Sequence, residues 1–239
     1  MHQQTTTDLL IEIDAHFQKL QQPLMVILDT EKSARQLNLS LAHLCPQLKV
    51  QYFPGWDTLP YEHLTPSPEL RATRLYTLSQ CLTGKVDCLI TTYAAVLARG
   101  PPKEFIAQNV LKLNCKQSMP IHAFSKALTE MGYLCVPNVH LPGEFSQRGA
   151  LIDVYPMGVK HPFRIEWFDD LVESIRIFRP ETQTSIKTVN TIEHLPAHEY
   201  TITPSMIQTI QNTFNVPIQK AQTDFLKRLK TANHDQLHC

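Results

Sequence analysis

Few residues in this chain have the types and spacing that chemistry needs. His194 and His198 stand four apart in "HLPAH", a metal-ligand spacing if the backbone is helical. Pro196 between them and the strand-like flanks favour a structural turn instead. Asp169, Asp170 and Glu173 could hold a cation or do carboxylate chemistry, but acids around a hairpin turn are usually a solvated loop. Gly84-Lys85 in "LTGKVD" resembles the end of a phosphate cradle. It lacks the upstream glycine and the following Ser/Thr, and it precedes a strand where a cradle precedes a helix. There is no G-x-S-x-G elbow, and none of the six cysteines belongs to a C-x-x-C pair. The pattern points to no catalytic residue, no metal and no cofactor.

What remains is surface chemistry. In "FRIEWFDD", Phe163–Asp170, a strand reading sends Phe163, Ile165 and Trp167 to one face, a plausible core face. Arg164, Glu166 and Phe168 then share the other face, where a large apolar ring sits among charges. Arginine with an aromatic ring is the composition of interface hot spots, since each combines contact area with directional polar capacity. Arg148 in "SQRGAL" lies on a strand that could be a sheet neighbour, and the glycine after it could permit a bulge. Two readings stand at this point. Either the patch docks a partner, or Phe168 tucks under the hairpin turn while Arg164 pairs with Glu173 or Glu166.

Two kinds of region must position these residues. The first hundred residues alternate helix and strand: a helical period over "TTTDLLIEIDAHFQKL", an apolar run "PLMVILD", a second helix "EKSARQLNLSLAHL", strands "LKVQYF" and "KVDCLITTY", and a helix "PELRATRLYTLSQCL" between them. The apolar run is of the kind found in a buried parallel strand, so this region predicts an α/β sheet. After Pro101-Pro102 the character changes. A helix over "PIHAFSKALTEMGY", with Pro120 in its first turn and Gly132 at its end, precedes the strand candidates "EFSQRGALIDVY", "PFRIEWF", "LVESIRIF" and "TSIKTVNTI". Asp169-Asp170 is the expected tight turn between the second and third of these. Residues 1–107 are therefore expected to begin an α/β domain, 108–188 to form an inserted antiparallel α+β domain, and 189–239 to return to the first.

Composition bounds the function classes. The chain has 239 residues, 43% hydrophobic and 18% charged, enough for a packed core in one or two domains. Net charge is zero, so no global basic field draws nucleic acid and strong nucleic-acid binding is not expected. No apolar run is long enough to span a bilayer, and the polar, acid-bearing N-terminus does not read as a signal peptide, so no membrane association and a cytoplasmic location are expected. Scattered cysteines read as reduced thiols.

Four segments, "FPGWDTLPYEHLTPSPELRATRL", "GEFSQRGALIDVYPMG", "PFRIEWFDDLVESIRIF" and "LPAHEY", together resemble the N-terminal, excinuclease B-like module of bacterial transcription-repair coupling factors. The likeness runs in order and spacing from about Pro23 to about Tyr200. It implies a degenerate helicase-type α/β domain, P-loop-like but without the P-loop, interrupted by an α+β domain that docks the excinuclease A subunit. It also implies the contact residues: Arg148, Arg164 and Phe168. Two departures from excinuclease B imply lost activities. The chain begins inside the helix that would follow the phosphate loop, and "EHLTPSP" is too short for a DNA-gripping hairpin. Ser146 stands where excinuclease B often has a second arginine. The expectation is a non-enzymatic recruitment module, with RNA polymerase contact and motor activity belonging to domains that do not fit in this length. The alternative is a fragment of a nucleotide-dependent, helicase-like enzyme acting on DNA.

Overall fold

The computed structural model describes residues 6–20, 22–58 and 65–200, and the chain divides into two compact units, Met1–Gln108 and Asn109–Cys239.

The first unit runs α1 (Thr6–Leu20), β1 (Leu24–Leu28), α2 (Glu31–Leu44), β2 (Val50–Phe53), α3 (Pro68–Leu82), β3 (Cys88–Thr92), α4 (Tyr93–Leu97) and α5 (Lys103–Gln108). Its three strands form a parallel sheet in the order β1–β3–β2, so the α/β expectation holds. Helix α2 starts where Thr30, in extended backbone, accepts from the Ser33 amide at 3.1 Å. Its Ala34, Leu37 and Leu41 form a stripe packed with Ile13 of α1 and with Cys88 and Ile90 of β3. Complete burial of Leu37 and Leu41 contributes roughly 1.5–3 kcal/mol each.

Glu31, in the first turn of α2, accepts from the Gly55 amide at 2.9 Å, from Thr92 Oγ1 at 3.0 Å and from the Tyr52 hydroxyl. One carboxylate, three residues beyond the end of β1, thereby binds the C-terminal ends of β2 and β3. A Cβ at Gly55 would lie 2.9 Å from Glu31 Oε1, so a larger residue there would push the carboxylate aside. The run "LMVIL" is less buried than a central strand. β1 is an edge strand of the described sheet, and Met25 and Ile27 are exposed while Leu24, Val26 and Leu28 pack on the core. Gly84-Lys85 lies in the turn between α3 and β3, with Gly84 at φ +65°.

The second unit runs β4 (Leu111–Asn114), α6 (Ile121–Glu130), β5 (Leu134–Cys135), β6 (Glu144–Arg148), β7 (Leu151–Val154), β8 (Phe163–Phe168), β9 (Leu171–Phe178), β10 (Ser185–Thr188) and β11 (Thr191–His194). Six strands form a sheet in the order β10–β9–β8–β7–β6–β5, antiparallel except for the short β5–β6 pair. One face is apolar: Phe145, Ile152, Val154, Ile165, Trp167, Val172 and Ile175 are buried, as are Phe124 and Leu128 of α6. The Phe124 and Trp167 rings lie 5.4 Å apart.

Two strand candidates divide. "EFSQRGALIDVY" is a hairpin, because Gly149 at φ +59° turns the chain between β6 and β7. "TSIKTVNTI" splits into β10, on the edge of the large sheet, and β11, which pairs with β4. Within 189–239, the described part thus opens inside the second unit, with Ile192 and His194 buried. The expected return to the first domain rests on residues 201–239, which lie outside the described residues.

Candidate protein-docking surface

Residues directly opposite each other on paired strands share a face. Registers of Asp153 with Arg164, Arg164 with Arg176, Leu151 with Glu166, Glu166 with Ser174 and Phe168 with Leu171 therefore assemble one outer face. Trp167 fixes the alternation of β8. Its ring is buried and its Nε1 donates to the Met119 carbonyl at 2.9 Å, so Phe168, one residue on, must point outward. A register shift between Glu166 and Trp167 and the Asp169 turn residue at φ +53° close the hairpin just beyond. The Phe168 ring is 67% exposed, and Leu171 opposite it is 37% exposed. Phe168 is not tucked under the turn.

Arg164 takes neither of the two acids that the alternative reading offered it, Glu173 or Glu166. β7 lies between β6 and β8, so Arg148 and Arg164 are not on neighbouring strands. They meet on Asp153 of β7. Arg164 Nε donates to Asp153 Oδ1 at 2.7 Å and its Nη2 to Oδ2 at 2.9 Å, while Arg148 Nη2 donates to the same Oδ2 at 2.5 Å. The Asp153 side chain is only 3% exposed, that of Arg164 18% and that of Arg148 50%. Arg164 Nη2 also donates to Gln183 Oε1 at 2.7 Å, and the guanidinium stands 4.8 Å over the Phe178 ring. The Asp153 hydrogen bond raises the Arg164 pKa above its ordinary value, against an opposing effect of burial.

Glu166 does not take Arg164. It pairs with Arg176 of β9 and accepts from Ser174 Oγ at 2.8 Å. Three guanidiniums thus share two carboxylates, and the excess positive charge lies at the exposed Arg148 end. Ser146 is buried and donates to the Pro137 carbonyl at 3.1 Å, so it takes no part in the surface. Asp153 and Gln183 were not singled out by sequence. The signal for Asp153 is the alternation in "LIDV", where an acid sits between two inward apolar residues on the outer face.

The paired histidines form no common site. His194 is wholly buried, its Nδ1 lies 3.3 Å from the Leu111 carbonyl, and its ring stands edge-on to Phe124 and Tyr133. Burial pushes its pKa down to about 4. His198 lies against Gly132, whose φ of +86° and crowded Cβ direction demand glycine. Among the described residues no group of three His, Cys, Asp or Glu could hold a metal, and no helix is long and apolar enough to cross a membrane.

Residues 111–200, which contain the whole outer face, match the family model of the UvrB interaction domain. Over a longer stretch the chain is similar to transcription-repair-coupling factors. Identity is 34% over 176 residues with that of Haemophilus influenzae, covering 74% of this chain and 15% of the relative. It is 30% over 190 residues with that of Escherichia coli, covering 80% and 16%. With that of Bacillus subtilis it is 30% over 220 residues, covering 90% and 19%. The chain spans less than a fifth of the length of these relatives. A UvrB interaction domain set in a chain that aligns with coupling factors over most of its length makes this protein an N-terminal module of the transcription-repair-coupling-factor family.

Proposed function

We propose that this chain is a non-catalytic recruitment module that docks the excinuclease A subunit, bringing nucleotide excision repair to a stalled RNA polymerase. The observation that carries the reading is the Phe168 ring, two-thirds exposed beside a set of fixed arginines on the outer face of the family-matched sheet. A soluble domain gains nothing in its own fold from a wet phenylalanine. A partner that buries the ring and presents carboxylates to Arg148 and Arg164 would gain apolar area and charge-assisted hydrogen bonds together. The coupling-factor relatives supply the biological setting, and contact with RNA polymerase would run through parts of such proteins beyond this chain.

The finer reading of the first unit, a degenerate helicase-type domain without ATP hydrolysis, belongs to the same proposal. Glu31 supports it, because an internal carboxylate occupies the C-terminal ends of the strands, where open α/β sheets take their ligands. The test is calorimetric titration of this chain against purified bacterial excinuclease A, alone and as Arg148→Ala. Saturable binding weakened at least tenfold by the substitution supports the proposal, and absence of binding at micromolar concentration rejects it. Stabilisation of the chain by ATP and magnesium in a thermal melt would favour the helicase-like enzyme instead.

A further inference from the structure

Arg148 and Arg164 come from strands that do not touch, and their like charges repel. Fixing two such long side chains also costs rotamer entropy. Both obstacles are met by one group, the carboxylate on the strand between them. Asp153 Oδ2 accepts from both guanidiniums, Oδ1 accepts from Arg164 alone, and the side chain is shielded from water. Arg164 is fixed further by Gln183 and by the Phe178 ring. Arg148 is held through one nitrogen and is half exposed, which leaves N–H groups turned to solvent.

We infer that Asp153 is the positioning residue of the docking face: one buried carboxylate that sets Arg148 and Arg164 side by side, so that a partner's carboxylate meets two pre-oriented guanidiniums. The inference rests on the docking reading above. It has a consequence of sign. Asp153→Asn keeps the side-chain shape but adds one unit of net positive charge to the face. If the face acted as a plain positive field, an acidic partner would associate faster and bind more tightly to that variant. Positioning requires the opposite, because loosened guanidiniums must be ordered at the moment of binding.

The experiment measures association and dissociation of excinuclease A on the immobilised full chain, native and as Asp153→Asn, with circular dichroism confirming the fold. The expected result is affinity lower by tenfold or more, mainly through faster dissociation. The same change introduced into the Arg148→Ala/Arg164→Ala variant should bring no further loss. Unchanged or tighter binding by folded Asp153→Asn overturns the inference, and so does an equal loss in the arginine-free background. A measurement on the native chain covers the case in which the variant does not fold. Nitrogen-15 NMR should show the Arg164 Nε–H slow to exchange and its guanidinium hindered in rotation, and a freely rotating Arg164 overturns the inference as well. A native chain that does not bind excinuclease A, or that binds regardless of Phe168, removes the docking reading and this inference with it. A chain that binds through Phe168 but ignores Asp153 removes this inference alone.

Discussion

Phe168→Ala separates docking from folding more cleanly than any other single change. A phenylalanine side chain offers roughly 150–250 Å² for burial, and the ring is 67% exposed in the free chain. About 100–150 Å² is therefore available to a partner, worth ~2.5–4 kcal/mol at about 25 cal/mol per Å². Alanine would retain a small part of that area, so the expected loss is ~2–3 kcal/mol, or roughly 30- to 150-fold in Kd. The cost to the fold should stay within about 0.5 kcal/mol, because the ring is mostly in water already and its strand is anchored by Trp167. Calorimetric titration against excinuclease A reads the first quantity and urea unfolding the second. Undiminished affinity would refute the assignment. A fall in the unfolding midpoint that accounts for the lost binding would refute the claim that the ring is held outward for a partner.

The other expectations concern the supports of the two units. Arg164→Ala should lower unfolding stability by ~1–3 kcal/mol, since it strips a buried carboxylate of its bidentate partner, while Arg148→Ala should cost under about 1 kcal/mol; equal effects in urea melts would contradict the geometry. His194 is held neutral by burial down to about 4, against an ordinary value near 6.5, so the unfolded chain takes up its proton first as pH falls. Its stabilising contribution is present above about pH 6.5 and is lost as pH falls toward 4, on the order of 3 kcal/mol over that window. His194→Leu should flatten this part of a stability–pH profile, and an unaltered slope would assign the acid loss elsewhere. Glu31→Ala leaves the Gly55 amide and the hydroxyls of Thr92 and Tyr52 without their acceptor, for an expected loss on the order of 2 kcal/mol in the first unit. Thermal melts of residues 1–108 signals in the whole chain would read it, and an unshifted transition would show that water replaces the carboxylate without cost.

The readable parts of the sequence were those with local causes. Helical period marks α2, Pro120 and Gly132 bracket α6, and alternation in "FRIEWF" places Trp167 inside and Phe168 outside without any knowledge of neighbours. What the sequence hid was non-local. Gly149 read as a possible bulge, whereas it turns a hairpin, and only that turn puts β7 between the two arginine-bearing strands. Asp153 stays hidden for the same reason, since Glu166 and Glu173 stand nearer to Arg164 in sequence, while its partner lies eleven residues upstream on another strand. The continuous look of "TSIKTVNTI" hid a change of sheet for a similar reason, because strand propensity does not say which edge a strand will join.

An exposed aromatic ring on a sheet risks indiscriminate association, and the surrounding chemistry bears on how that risk is contained. On the outer face the ring's neighbours along β8 are Glu166 and Arg164, each already paired, so a nonspecific apolar surface laid on Phe168 would have to desolvate charges it cannot match. The ring also borders the exposed Asp169-Asp170 turn, and the edge strand β10 carries Lys187, which discourages pairing with another sheet edge. A partner escapes the penalty only if its own acids fall where Arg148 and Arg164 present their remaining donors. Selectivity on this face would then come from the charges that a wrong partner leaves unsatisfied, and the ring would supply affinity only after that condition is met.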